Sequence, residues 1–472
     1  MPNAFRRSAF SFLLAGALAS CQATDDADPA KTPRRPNILV VMADDLADWH
    51  LGCYGNTEIR TPHIDRLASE GVRMGNAFVC TPICSPSRAT FFTGRVPRQH
   101  GIQDFLTGKA STEDPPQGWP APPASFADEV MISDLLAEAG YRCGYLGKWH
   151  MGGDDRPQHR YSVWRTGGGG AYVDPVLQNG TERVKEKGYT PEILTRHAQD
   201  FIRAERSTGR PWLLVVSYPN PHLPYEGHPQ KYYDLYKDAT FASFGIEPKA
   251  ANCLREASFM DDPITHLRKA AAATTALDDQ IPPLLETLDA TGQRVKTLVL
   301  FTGDHGFLYG RHGAWSKAYA TNPPNLWEEV VRVPLIVSWP GVVPGKRVLP
   351  QFVSFYDVLP TLADAGGVPR ARMEKLKRER NLPGRSYWPL LMGETVPWED
   401  VAYFHFRNTE GIRDVRHKLV LRNDGKGPNE LYDLEADPRE KTNRADDPAL
   451  AETRKGLEAR LRKWRAEHDE GR

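Results

Sequence analysis

The chain has 472 residues, 40% of them hydrophobic, which is enough to bury a large core and favours one big domain plus a smaller one over three equal ones. Its 60 basic residues stand against 60 acidic ones, so bulk charge attraction to nucleic acid or another polyanion is excluded and any anion has to be bound locally. The 39 glycines and 39 prolines point to many long loops.

In chain order, Arg6 and Arg7 precede an apolar stretch from Ala9 to Ala19. It is too short to span a bilayer but suits a signal peptide over residues 1–20. Leu18-Ala19-Ser20-Cys21 resembles a bacterial lipobox, in which Cys21 is acylated; this predicts an exported periplasmic or cell-surface lipoprotein, held to the membrane only through a lipid anchor. Plain cleavage after Ser20 is the alternative, and the arginine pair leaves the export route (Sec or Tat) open. The polar, aperiodic run from Gln22 to Arg35 reads as a flexible tether, spanning 21–35 with the cysteine.

Short apolar runs then end in polar clusters. Asn37 to Met42 leads into Asp44-Asp45, and Cys143 to Leu146 into Gly147-Lys148-Trp149-His150. Trp212 to Val216 leads to Asn220-Pro221-His222, and Thr297 to Phe301 to Gly303-Asp304-His305-Gly306. Leu335 to Val337 is a further strand, and helices are predicted at Ile64 to Glu70, Ser133 to Ala139, Leu277 to Leu288 and Leu359 to Ala365. This alternation predicts an α/β fold: a mostly parallel central sheet, buried on both faces and flanked by helices, over residues 36–370. Ligands of such sheets bind beyond the carboxyl ends of the strands, so the four polar clusters are expected to converge. Residues 371–472 read as a smaller antiparallel subdomain, with strands at Ala402 to Phe406, Lys418 to Arg422 and Glu430 to Leu434 and a final helix from Pro448 to His468.

Cys84-Ser85-Pro86-Ser87-Arg88 opens a predicted helix with Ser85 at the N-cap, proline in its first turn and Gly94 closing it. Residue 84 then sits at an electropositive helix start, with Arg88 one turn in on the same face. The pentapeptide resembles the Cys-X-Pro-X-Arg motif of the formylglycine-dependent sulfatases of the alkaline-phosphatase superfamily. That resemblance implies an alkaline-phosphatase-like fold, and a maturation enzyme that converts Cys84 to formylglycine (3-oxoalanine), whose hydrate is the nucleophile.

Asp44 and Asp45 at one strand end and Asp304 at another are mutually repelling unless a cation lies between them, and oxygen ligands favour calcium or magnesium. The resemblance implies one Ca2+ held by these three, residue 84 and His305, which stands where the family often has asparagine; imidazole suits softer metals better. Lys148 and His150 match the family's Lys-X-His motif, His222 its isolated histidine and Lys317 its second lysine. By the same resemblance Lys148, Lys317 and His222 hold the sulfate oxygens, with His222 or Lys317 as acid to the leaving group. His150 takes the proton that lets the sulfated hydrate expel sulfate. His100, Arg98 and His312 are further candidates for touching the leaving group.

The reaction implied is hydrolysis of sulfate monoesters. Export and tethering suit carbohydrate sulfates, although the loops Ile102 to Ala127 and Asp154 to Gly180, with its Gly167-Gly168-Gly169-Gly170 run, disclose no particular sugar. The alternatives are a formylglycine-dependent phosphonate monoester or phosphodiester hydrolase and a catalytically silent glycan-binding lipoprotein. Besides Cys21 and Cys84, four cysteines (Cys53, Cys80, Cys143 and Cys253) could form two bridges in three pairings, or none.

Overall fold

Asn37–Ala43 carries no charge and is buried along nearly its whole length, a pattern satisfied only in a sheet covered on both sides. The computed structural model describes residues 35–106, 126–167 and 171–468, and makes this segment β1. The expected signal peptide, acylation at Cys21 and nearly all of the tether lie outside those residues, as do much of the Ile102 to Ala127 loop and residues 168–170 of the glycine run.

The further strands are β2 (Val72–Phe78), β3 (Arg142–Gly147), β4 (Tyr161–Gly167), β5 (Val176–Asn179), β6 (Glu182–Lys185), β7 (Trp212–Ser217), β8 (Thr297–Gly303), β9 (Leu335–Ser338) and β10 (Arg347–Ser354). They form one sheet in the order β10-β2-β9-β8-β1-β7-β3-β4-β5-β6. β9 opposes both its neighbours and β5 both of its own; every other strand runs the same way, so the sheet is mixed but mostly parallel, as expected.

The strand period of two divides the core. Ile38, Val40 and Met42 of β1 enter one apolar cluster with Phe91 and Phe92 of the helix Cys84–Thr93 and Leu359 of the helix Val358–Ala365. Leu39, Val41 and Ala43 enter the other, with Leu67 of the helix Pro62–Glu70, Leu194 of Thr190–Glu205 and Leu284 of Ile281–Ala290.

A second sheet, β11 (Ala402–Phe406), β12 (Thr409–Arg413), β13 (His417–Arg422) and β14 (Glu430–Asp433), is antiparallel throughout, and the helix Ala451–His468 follows it. The helices Arg370–Arg380 and Trp388–Met392 send Met373, Leu376, Leu390 and Leu391 into the core of the large sheet. By packing, the antiparallel part therefore begins at Ala402. From Arg35 onward the chain is one compact unit.

Two readings change. The helix predicted from Leu277 to Leu288 is two helices, Pro263–Asp278 and Ile281–Ala290, because Pro282 and Pro283 lack the N–H groups an interior turn needs and so begin the second. The supposed loop from Asp154 to Gly180 contains β4 and β5, which escaped notice because half-exposed strands show no continuous apolar run. Among the described residues Cys53, Cys84, Cys143 and Cys253 form no disulfide.

Candidate active site

The register of β1 on β8 sets Ala43 opposite Gly303, so the residues that follow, Asp44 and Asp304, leave the sheet side by side. Backbone bonds hold them there: Asp304 N–H donates to Ala43 O and Asp44 N–H to Asn220 O, both at 2.9 Å. Asp45 turns in the left-handed region, φ 64°, and its N–H donates to Asp304 Oδ1 at 3.0 Å, bringing a third carboxylate to the same place.

The helix Cys84–Thr93 meets this cluster with its first residue. Its N-cap is Ile83 and no side chain caps it; Ser85 instead accepts from Leu106 N–H through Oγ at 3.1 Å, which corrects the expected cap. Gly94 closes it in the left-handed region (φ 66°), as expected. Cys84 Sγ lies 3.2 Å from His305 Nε2, 3.1 Å from Lys317 Nζ and 3.6 Å from Asp44 Oδ1. Ser87 Oγ donates to Asp304 O.

Arg88 has no exposed surface. Its Nε and Nη2 reach Asp304 Oδ2 at 3.0 and 2.9 Å, while Nη1 donates to Lys148 O at 2.9 Å and Ser217 Oγ at 2.6 Å. Lys148 leaves β3 beside β7, its N–H on Ser217 O at 3.1 Å, and its ammonium bonds Asp44 Oδ2. Lys317 Nζ sits 2.5 Å from Asp45 Oδ1, and His222 Nε2 3.8 Å from Asp45 Oδ2. Ser217 is a partner the sequence reading missed; its only signal was a polar residue ending the apolar run of β7.

Three buried carboxylates thus face three buried cations, and the charges fix one another's state. Burial works to raise the Asp44 carboxyl, but Lys148, His222, Arg88 and Lys317 override it and hold it well below the usual carboxylate range. Burial likewise opposes charge on Lys317, which Asp45 nevertheless keeps well above the ordinary lysine value. The Cys84 thiol is pushed up to about 12 by burial despite both lysines, so as encoded it is a protonated, weak nucleophile. Burial and Lys148 keep His150 neutral.

His305 donates through Nδ1 to Gly306 O at 2.8 Å, which leaves the Nε2 lone pair facing Asp45 Oδ1 (3.3 Å) and Asp304 Oδ1 (3.5 Å). Ligand atoms of Asp44, Cys84, Asp304 and His305 lie within 4.8 Å of one another, as do those of Asp44, Asp45, Cys84 and His222. A set rich in carboxylate oxygens, with one free imidazole nitrogen, fits a hard divalent cation.

His150 lies beside this cluster, with Nε2 on Leu106 O at 2.7 Å and Nδ1 buried without a hydrogen-bond partner. The other candidates are placed differently. His100 is buried, 3.2 Å from Thr90 Oγ1 and accepting from Ile102 N–H. His312 stacks on Trp327 at 4.0 Å and pairs with Glu329 at 3.1 Å; Arg98 bonds Glu410 at 2.7 Å and His405. Each of the three thus makes hydrogen bonds to loops and strands outside the group of side chains around Cys84.

A mostly parallel α/β sheet, with the helix that starts at Cys84 and an acidic cluster meeting at its strand ends, has the architecture of the alkaline-phosphatase-like fold. Residues 36–368 match the family described as Sulfatase, and residues 310–467 the one described as N-sulphoglucosamine sulphohydrolase, C-terminal. The chain belongs to the sulfatase family and is a sulfuric ester hydrolase. It is 26% identical to an N-acetylglucosamine-6-O-sulfatase of Bacteroides thetaiotaomicron, over 91% of this chain and 86% of that one. To an ulvan-active sulfatase of Formosa agariphila it is 27% identical, over 92% and 82%. The crystal structure of the putative sulfatase yidJ from Bacteroides fragilis superposes with a TM-score of 0.77 at 25% identity, covering 92% and 96%. A phosphonate monoester hydrolase of Agrobacterium radiobacter shares the fold, with a TM-score of 0.69 at 22% identity, over 92% and 96%.

Proposed function

We propose that this sulfatase releases sulfate from carbohydrate sulfate monoesters, using formylglycine made from Cys84 and one calcium ion held by Asp44, Asp45, Asp304, residue 84 and His305. The observation that carries the reading is the convergence on Cys84 of side chains delivered by separate strand ends. Hydrated formylglycine would supply two hydroxyls on one carbon, which no encoded side chain has, and a divalent ion would supply positive charge beside it.

The chain's own residues do the rest. The encoded charges balance, three carboxylates against Arg88, Lys148 and Lys317, so a divalent ion leaves the pocket positive, as an anionic ester requires. Lys148 and Lys317 present their Nζ atoms to the sulfate oxygens. In this reading His222 gives a proton from Nε2 to the leaving alcohol oxygen, and neutral His150 accepts one at its unpartnered Nδ1.

Carbohydrate sulfates are preferred because the relatives named above act on N-acetylglucosamine sulfate and ulvan. Export with acylation at Cys21, and a formylglycine-generating partner enzyme, complete the reading. The phosphonate hydrolase neighbour supports a second one at the level of fold alone.

Peptide mass analysis of protein co-expressed with a formylglycine-generating enzyme should find residue 84 as the aldehyde. That protein should liberate sulfate from sulfated mono- and disaccharides, lose the activity to chelation and regain it with calcium, with Cys84→Ala inert. Faster turnover of bis-4-nitrophenyl phosphate than of 4-nitrophenyl sulfate would overturn the assignment, and an unmodified Cys84 would favour a silent glycan binder.

A further inference from the structure

A cavity of about 680 Å³ opens at the β2–β10 edge of the large sheet, with β9 between it and β8, the strand that leads to Asp304. Val72 and Met74 of β2 point into the cluster that holds the helix Cys84–Thr93, so strand alternation turns Arg73 to the other face. There its guanidinium lies over the Tyr54 ring, 4.5 Å from the centroid. Lys346 enters from the turn before β10 and Arg347 from the strand's first position, opposite Val72.

The charges of this cavity are not cancelled. Its one carboxylate, Asp65, is occupied through Oδ1 by Cys53 N–H at 2.7 Å and Thr61 Oγ1 at 3.1 Å. Arg347 is spread over the carbonyls of Pro344, Leu390 and Leu391. Among the described residues no ion pair neutralises Arg73 or Lys346. Val348, 54% exposed, adds an apolar wall. The Cys53 thiol is held protonated by burial and by Asp65, so the cavity offers no nucleophile. Two cations without a carboxylate partner, carried by the neighbouring strand ends β2 and β10, with Val348 paired beside Arg73, suit an anionic sugar: sulfate on the cations, a ring face against Val348.

We propose that this cavity is a second, non-catalytic binding site for a sulfated saccharide, which keeps a polymeric substrate on the enzyme. The choice of ligand class rests on the function proposed above.

The test uses the full chain carrying Cys84→Ala, with 4-nitrophenyl sulfate present to fill the catalytic pocket, in gels containing dextran sulfate or uncharged dextran. Dextran sulfate should retard this protein and dextran should not. Adding Arg73→Gln and Lys346→Gln should weaken binding about tenfold, the loss of two modest charge contacts. Equal retardation with and without these substitutions overturns the proposal. So does a difference that appears only with phosphatidylglycerol vesicles, which would make the site one for lipid. With Cys84 intact, the double variant should hydrolyse 4-nitrophenyl sulfate at the parent rate, reporting that the fold survives. Absence of hydrolysis in the parent would count against the sulfatase chemistry and leave the binding comparison readable.

Discussion

Arg88 binds the two acidic strand ends to each other and to β3 and β7, without contact with solvent. Replacing it by methionine strands Asp304 and Asp44 in the interior short of a cation, which costs about 3–5 kcal/mol. Thermal denaturation should show a large fall in Tm for Arg88→Met and a smaller one for Arg88→Lys, which keeps the charge but not the planar fork. A methionine variant as stable as the parent would mean that the carboxylates find another partner. The residues of this centre were legible because each is written beside its neighbours: the Asp44-Asp45 pair, the pentapeptide at 84–88, Lys148 with His150, and Asp304 with His305. That His100 is buried against Thr90 and that His312 pairs with Glu329 was not legible, since a histidine has the same chemistry in a pocket or an interior and burial is not written in the chain.

At the scale of elements, strand ends aim the site. Gly147 closes β3 at φ 92°, and a Cβ there would fall 2.0 Å from Ser217 O, on the strand that steadies Lys148. Gly147→Ala should therefore lower both stability and kcat, the second because Lys148 moves. Unchanged kinetics in a folded variant would show that the lysine's aim does not depend on this turn.

The short helix Glu328–Val331 is a second joint, where buried Glu329 meets His312, Arg311 and Arg439. Burial alone would raise its carboxyl, but His312 and Arg311 bring it down to about 2 from an ordinary 4.5. A carboxyl depressed in the fold contributes fully above the open-chain value and progressively less as pH falls through the folded one, roughly 3 kcal/mol in all. Melting curves should drop steeply for the parent between about pH 5 and pH 3 and less so for Glu329→Gln; parallel curves would remove Glu329 as the cause. The strands β1, β3, β7 and β8 could be read directly because burial on both faces demands unbroken apolar runs. β6 and β10 lie at the sheet's edges with one side wet, and β12 carries charges, so none of the three announces itself.

For the molecule as a whole, the antiparallel sheet is part of the foundation of the active site. Phe404, Phe406 and Val420 share a core with Phe78, Ile83 and Phe352. Where the backbone approaches Cys84, His405 N–H donates to Cys80 O at 2.8 Å and Thr81 Oγ1 to His405 O at 2.5 Å. Lys418 and Arg413 reach back to Glu328 at 3.1 Å each, inside the protein. A chain ending before Ala402 should expose that apolar surface, aggregate on expression and lack the near-ultraviolet circular dichroism of a packed core. A soluble, cooperatively melting truncation would instead establish that the large sheet stands alone. The sequence suggested two bodies, divided after residue 370, because short strands joined by turns replace the long apolar runs in the remainder; what it could not disclose is that their side chains interlock.

Cys84 lies completely beneath the surface, walled in by two lysines and the acidic residues opposite. A side chain with no exposed surface cannot enter the working cleft of another folded protein. Under the function proposed above, an enzyme that converts this sulfur has to reach it before the polypeptide closes over it, so protein folded beforehand should stay inactive when that enzyme is added late.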